Sequence, residues 1–188
     1  MNQTFTKIDT EEFVATLKKY NLFREDDVTF DELDDGNNYV YTGDDFLINA
    51  ENLDELDLGA LLIIGNVHID DLSIGDVLPD FGVFCVTGDL RCKDLFYCTE
   101  STGVSIGGNL TVDQLFYADC GNSVLQVNGN LSAKVVFISQ CSVEVGGEEK
   151  AEFSNKITME DLQTMGISVE DHSYPEKAIR GYFKSKRS

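Results

Sequence analysis

Histidine is almost missing from this chain: 188 residues hold two, His68 and His172. That supply argues against histidine-built metal sites and against catalytic triads, both of which need imidazole beside other reactive groups. Cationic residues are scarce as well. Fourteen Lys and Arg face 34 Asp and Glu, giving a formal net charge of −20 at pH 7 and a pI near 4.2. A field of that sign repels phosphate backbones and anionic lipid surfaces and attracts cationic protein surfaces, so neither nucleic acid nor membrane is expected as a partner. No stretch approaches the roughly 18 consecutive apolar residues of a membrane span. The opening MNQTFTKIDTEEF lacks the apolar centre of a secretion signal, and a cytoplasmic location is expected. Cysteine is present in an odd number (Cys85, Cys92, Cys98, Cys120 and Cys141) without C-x-x-C spacing, which reads as reduced thiols in a half-buried core. Phosphate-binding P-loops, G-x-S-x-G elbows and Rossmann fingerprints are all lacking. The run Asp31-Glu32-Leu33-Asp34-Asp35-Gly36 approaches a calcium loop but puts Leu33 at a ligand position and Thr42 where the bidentate Glu belongs. No metal, no cofactor and no catalysis are expected.

What the chain has is a repeat. TGDDF, IGNVHID, TGDLRCK, GGNLTVD, NGNLSAK and VGGEE anchor on Gly43, Gly65, Gly88, Gly108, Gly129 and Gly147, at spacings of 22, 23, 20, 21 and 18 residues. Aligned on that glycine, apolar residues fall into columns. Four before it stand Leu61, Phe84, Val104, Leu125 and Val143, and two before it Ile63, Val86, Ile106, Val127 and Val145. Two after it come Val67, Leu90, Leu110 and Leu131, and four after it Ile69, Cys92, Val112 and Ala133. Seven after it stand Leu72, Leu95, Leu115 and Val136, and nine after it Ile74, Tyr97, Tyr117 and Ile138. A spacing of two is strand periodicity with one face buried, and the step from four to seven marks a corner. Single strands cannot bury such a face, so each coil must stack on the next. The fold expected is mainly β: a right-handed parallel β-helix of about five or six coils, roughly 25–30 Å long at strand spacing. The glycine suits a corner needing positive φ or close approach, and Asn66, Asp89, Asn109 and Asn130 after it can hydrogen-bond along their column. Outward, Asp70, Lys93, Asp113 and Lys134 alternate in sign, as neighbours across stacked strands would.

The raw ends of a solenoid need caps. Asp9 to Tyr20 reads as a helix with Asp9 or Thr10 as N-cap and Phe13, Leu17 and Tyr20 on one face. Past Gly147 the pattern dissolves, and two short helices are expected, from Thr158 to about Met165 and from Pro175 to about Lys184. The chain is one domain, 1–188: a helix and acidic cap over 1–38, the β-helix over 39–150, and a helical segment with a basic tail over 151–188.

The acid is segregated. From Glu25 to Asp80 there are 17 Asp and Glu and no Lys or Arg. Its densest pieces supply the candidate partner-binding residues Asp26, Asp27, Asp31, Glu32, Asp34, Asp35, Asp44, Asp45, Asp54, Glu55 and Asp57. Phe23, Phe30, Leu33, Tyr39, Tyr41 and Phe46 interleave with them. Charge that steers and apolar groups that anchor are the ingredients of a protein interface. Asp70, Asp71 and Asp94 are the residues from which a carbohydrate-cleaving β-helix would build a carboxylate cluster.

The repeated V-x-x-GDL or GNL coils, over residues 61 to 147, resemble those of small bacterial β-helical proteins that accompany polymorphic toxins: the immunity proteins of contact-dependent inhibition and related systems. The resemblance implies a cytoplasmic protein, monomeric or dimeric on its own, that binds a cognate basic toxin domain of nuclease type and blocks it. The alternatives are a self-assembling structural β-helix and a carbohydrate-active enzyme.

Overall fold

The period-two columns become strands that pair in parallel, each with its counterpart one coil on. The computed structural model describes residues 5–23, 37–42, 58–73, 82–97, 102–153, 157–170 and 173–185. In chain order these form β1 (Phe5–Ile8), α1 (Thr10–Lys19), β2 (Asn38–Thr42), β3 (Ala60–Ile64), β4 (Val67–Ser73), β5 (Val83–Val86), β6 (Leu90–Tyr97), β7 (Gly103–Ile106), β8 (Leu110–Val127), β9 (Leu131–Val145), β10 (Glu149–Phe153), α2 (Met159–Thr164) and α3 (Pro175–Ser185). The result is a parallel β-helix with a few short helices.

Three sheets run along the solenoid. The first stacks β2, β3, β5, β7, residues 124–127 of β8 and residues 143–145 of β9. The second stacks residues 67–69, 90–92, 110–112, 131–133 and 149–151. The third, beyond the next corner, pairs residues 71–73 with 94–96, and then 115–118 with 135–138. Inward side chains from successive coils make one core, in which Leu61, Phe84, Ile106, Leu110 and Leu131 are fully buried.

The glycine corner holds the coils in register. Asn66 Oδ1 accepts the Asp89 N–H (2.8 Å), Asp89 Oδ1 the Asn109 N–H (2.7 Å), Asn109 Oδ1 the Asn130 N–H (2.9 Å), and Asn130 Oδ1 the Glu148 N–H (2.8 Å). This is the side-chain ladder the sequence spacing anticipates. Close approach is why glycine precedes each member. A Cβ on Gly108 would lie 2.3 Å from Asp89 Oδ1 and 2.8 Å from the Gly88 carbonyl oxygen. Of the corner glycines from Gly65 onward, Gly65 alone adopts a left-handed φ, 139°.

Four expectations are corrected. First, Leu115 and Tyr117 do not continue the inward columns. Opposite β6, Cys92 pairs with Val112 but Asp94 with Leu115, and β9 slips back, pairing Ala133 with Val112 and Val135 with Leu115. The coil after Gly108 thus carries one extra residue at Asp113–Gln114, a β-bulge, and a one-residue slip exchanges faces. Phe116 and Ala118 take the interior, while Leu115 and Tyr117 point outward beneath the C-terminal helices. Second, Asp113 does not join a ladder with Lys93. Its carboxylate is bound by Arg91 of the neighbouring column, with contacts of 3.1–3.2 Å from Nε and Nη2. Both groups are exposed, so the pair adds little stability. Third, β10 carries the ladder three residues past 150, with Lys150 opposite Ser132 and Ala151 opposite Ala133. Fourth, the N-terminal cap includes a strand absent from the sequence reading: β1 lies antiparallel on β2, Phe5 opposite Tyr41 and Ile8 opposite Asn38.

The helices cover two outer faces. Asp9 caps α1 by accepting the Glu12 N–H at 2.8 Å, and Phe13 and Leu17 bury against Ala60, Leu62, Val83 and Cys85 of the first sheet. On the third sheet, Phe96, Tyr117 and Phe137 stack with centroids 5.5 and 5.2 Å apart, and Leu162, Ala178 and Ile179 of α2 and α3 close over them. Gln114 Nε2, in the bulge, donates to the Met165 carbonyl at the end of α2 (2.6 Å). A capping box starts α2: Asp161 N–H donates to Thr158 Oγ1 (3.1 Å) and Thr158 N–H to Asp161 Oδ2 (2.8 Å). The hydroxyl and backbone N–H of Thr158 hold the Asp161 carboxyl below its usual range. Cys85 and Cys92 are buried and Cys141 is half-buried; Cys98 and the side chain of Cys120 lie outside the described residues.

Candidate functional site

All eleven candidate partner-binding acids, Asp26, Asp27, Asp31, Glu32, Asp34, Asp35, Asp44, Asp45, Asp54, Glu55 and Asp57, lie outside the described residues, as do Phe30, Leu33 and Phe46. What the structure places is the framework on either side of them.

The first acidic run starts after Phe23 and ends before Asn37. Asn21 and Phe23 adopt left-handed φ values of 54° and 63°, which turn the chain off α1 and press Leu22 and Phe23 onto the first sheet. The Asn21 carbonyl accepts from Asn128 Nδ2 at 2.9 Å. Phe23 lines a cavity of about 210 Å³ with Gln126, Val127, Val145 and Gly146. This exit therefore sits on the last coils. The re-entry sits on the first: the Asn37 carbonyl accepts the Gly59 and Ala60 N–H groups at 2.9 and 3.1 Å. The second run, 43–57, begins after Thr42 of β2 and ends before Leu58, at the start of the next rung. Tyr39 and Tyr41, expected to serve as anchors between the acids, belong to the core instead: Tyr41 is buried and Tyr39 packs beside it.

The acids that a sugar-cleaving site would need are not gathered on one exposed face. Asp70 is exposed on the second sheet, but Asp94 is fully buried under α3. Its Oδ1 accepts the Leu115 N–H (3.1 Å) and its Oδ2 the Tyr182 hydroxyl (2.8 Å). Asp94 is thereby a clasp between the solenoid and its C-terminal helix. His68 stands exposed in the column with Arg91 and Ser132, as expected, and His172 lies outside the described residues. Among the described residues no group of three His, Cys, Asp or Glu is arranged to hold a metal ion, and no helix is long and apolar enough to cross a membrane.

Charge segregation continues on the described surface. The outer face of the second sheet carries Arg91, Lys93, Lys134 and Lys150 beside Asp70 and Asp113, a net positive face on a molecule of charge −20. Sequence reasoning marked the outward column of Asp70, Lys93, Asp113 and Lys134 as alternating in sign but not the net positive face it belongs to, and it did not single out the exit at Phe23. The signal for the exit was Asn21, a residue type that tolerates left-handed backbone, directly after the basic last turn of α1.

No protein-family model matches the chain, and no curated protein or solved structure matches it.

Proposed function

We propose that this protein is a non-catalytic binding protein of the cytoplasm that captures a basic protein domain, and that this domain is a toxin of nuclease type which it neutralises. The observation that carries the reading is the charge: 17 acids and no Lys or Arg between Glu25 and Asp80, within a chain of net charge −20. Segregated charge of that density steers a cationic partner and raises the association rate, at a cost in self-repulsion that solubility alone does not demand. The scaffold supports it. The segments flanking the first acidic run are tied to the stacked solenoid, at Asn21 by the Asn128 side chain and at Asn37 by backbone hydrogen bonds, so the run is anchored at both ends. End-to-end polymerisation is less well served, because antiparallel β1 occupies the β2 edge, one of the edges on which a head-to-tail stack would build.

The experiment is co-expression. The chain should rescue growth of cells producing the basic C-terminal domain encoded by the adjacent gene. A variant with Asp34, Asp35, Asp54 and Asp57 all changed to Lys should fold but fail to rescue. Rescue by the reversed variant would remove the acidic runs from the interface, and no toxicity to rescue would remove the toxin reading.

A further inference from the structure

Among the described residues, the first sheet is covered by a further strand at its N-terminal edge, and the last coil carries an unpaired edge. At the N-terminal end β1 covers β2. At the C-terminal end, among the described residues, β10 has a strand on one side only, β9. The inward columns agree. Leu61, Phe84, Val104 and Leu125 are at most 2% exposed, yet Val143 in the same column is half-buried, and Val145 follows Ile63, Val86, Ile106 and Val127 in the same way.

The backbone ladder gives this edge a polarity. The first residue of each second-sheet strand donates its N–H to the following coil: Val67 to Asp89, Leu90 to Asn109, Leu110 to Asn130 and Leu131 to Glu148, at 2.8–3.0 Å. Glu149 holds that place in the last coil. Each corner glycine carbonyl accepts from the next corner glycine, ending with Gly129 accepting from Gly147 at 2.9 Å, so among the described residues the Gly147 carbonyl is the terminal acceptor. The Asn/Asp side-chain ladder ends on Glu148, whose exposed carboxylate lies 3.0 Å from Lys150 Nζ. Two acceptors and a donor thus stand where one further parallel strand would be paired. Glu149, opposite Leu131, places an acid in the column otherwise filled by Val67, Leu90, Leu110 and Leu131. An inward-column charge at an edge deters an apolar copy and favours a cationic one.

We infer that this open end takes up an extended, basic segment of the partner polypeptide by strand addition, with apolar side chains over Val143 and Val145 and a Lys or Arg over Glu148 and Glu149. A second copy of the chain fits worse. Two such ends would set Glu148 and Glu149 against their own duplicates, and in a head-to-tail stack β1 already occupies the β2 edge of the first sheet. The inference rests on the reading of a basic partner and locates where on the solenoid its chain docks.

The test uses the full chain and two labelled, blocked peptides of equal charge, one alternating lysine with valine and one alternating lysine with proline, which cannot pair as a strand. The valine peptide should bind roughly tenfold or more tightly than the proline peptide and protect the Glu149 amide from hydrogen exchange. Glu149→Pro removes the outward N–H and should abolish that preference, as should Glu148→Lys with Glu149→Lys, while circular dichroism stays native. Equal binding of the two peptides, or a preference that survives Glu149→Pro, overturns the docking edge. So does a concentration-dependent dimer of the wild-type chain that Glu149→Pro dissolves, because a second copy would then hold the edge. The two readings fail separately. Lost preference with an intact growth rescue defeats the edge alone, and an intact preference without rescue defeats the toxin reading alone.

Discussion

At the scale of single residues, the corner sets the tightest limits. Gly108 has backbone and a ladder carboxylate within 3 Å of where a Cβ would be, and neither is the free end of a flexible side chain. Gly108→Ala should therefore destabilise the fold by roughly 2–3 kcal/mol, read as a lower urea midpoint. A variant with the wild-type midpoint would mean that the corner relaxes. Cys85 is limited by solvation instead. Burial against Leu62, Val83 and α1 pushes its thiol well above the ordinary range, only partly offset by a backbone hydrogen bond with Ser105. The folded state holds the neutral thiol, so this contribution is complete below the ordinary thiol pKa of about 8.5 and is lost as pH rises from there through the raised value. Native protein at pH 8 should leave Cys85 unlabelled by a thiol reagent and yield it on unfolding; rapid native labelling would show that α1 opens. Both residues were marked in the sequence, Gly108 by the repeat and Cys85 as one of five cysteines read as reduced, half-buried core residues. Only coordinates show that close approach, rather than positive φ, is what Gly108 answers to.

At the scale of elements, the bulge in β8 decides how the C-terminal helices dock. One residue inserted at Asp113–Gln114 turns Leu115 and Tyr117 outward, and Tyr117 becomes the centre of a stack between Phe96 and Phe137. Tyr117→Ala should cost about 3–5 kcal/mol and loosen α2 and α3 together, since both pack on that stack. Tyr182→Phe removes one donor from buried Asp94 and should cost about 1–3 kcal/mol. Hydrogen exchange in α3, compared between the two variants, checks both, and unchanged protection would detach the helix from the clasp. The capping box of α2 adds a pH dependence of the opposite sign to that of Cys85. Thr158 depresses the Asp161 carboxyl, so its contribution is present above the ordinary carboxylate range and is lost as pH falls through the depressed value. The helices themselves were legible from Asp9, Thr158 and Pro175, residue types that announce helix starts. The bulge was not, because Leu115 and Phe116 are both apolar and either could fill the column. Nor was β1, whose four residues, Phe5 to Ile8, read apolar-polar-polar-apolar without the alternation of a strand.

At the scale of the whole molecule, the fold was legible because a solenoid writes its period into the sequence: one glycine, one Asn or Asp and six apolar columns per coil. The site was legible only as composition. Charge runs show that acid is segregated, but their geometry depends on where the framework releases and recovers the chain, and that is set by Phe23 on the last coils and Asn37 on the first. The C-terminal edge, unpaired among the described residues, was hidden for a related reason. A terminal coil looks degenerate in sequence whether it is a cap or a docking edge, and only the unfinished ladder at Glu148 and Glu149 tells them apart. The central claim is that the acidic runs recruit a basic domain, and the most direct test is the association rate with the adjacent gene's C-terminal domain, measured at about 20 mM and about 300 mM salt. Association near ~10⁸ M⁻¹s⁻¹ at the lower salt is expected, falling steeply at the higher salt and falling at low salt when Asp34, Asp35, Asp54 and Asp57 are reversed. A rate indifferent both to salt and to the reversal would contradict the account.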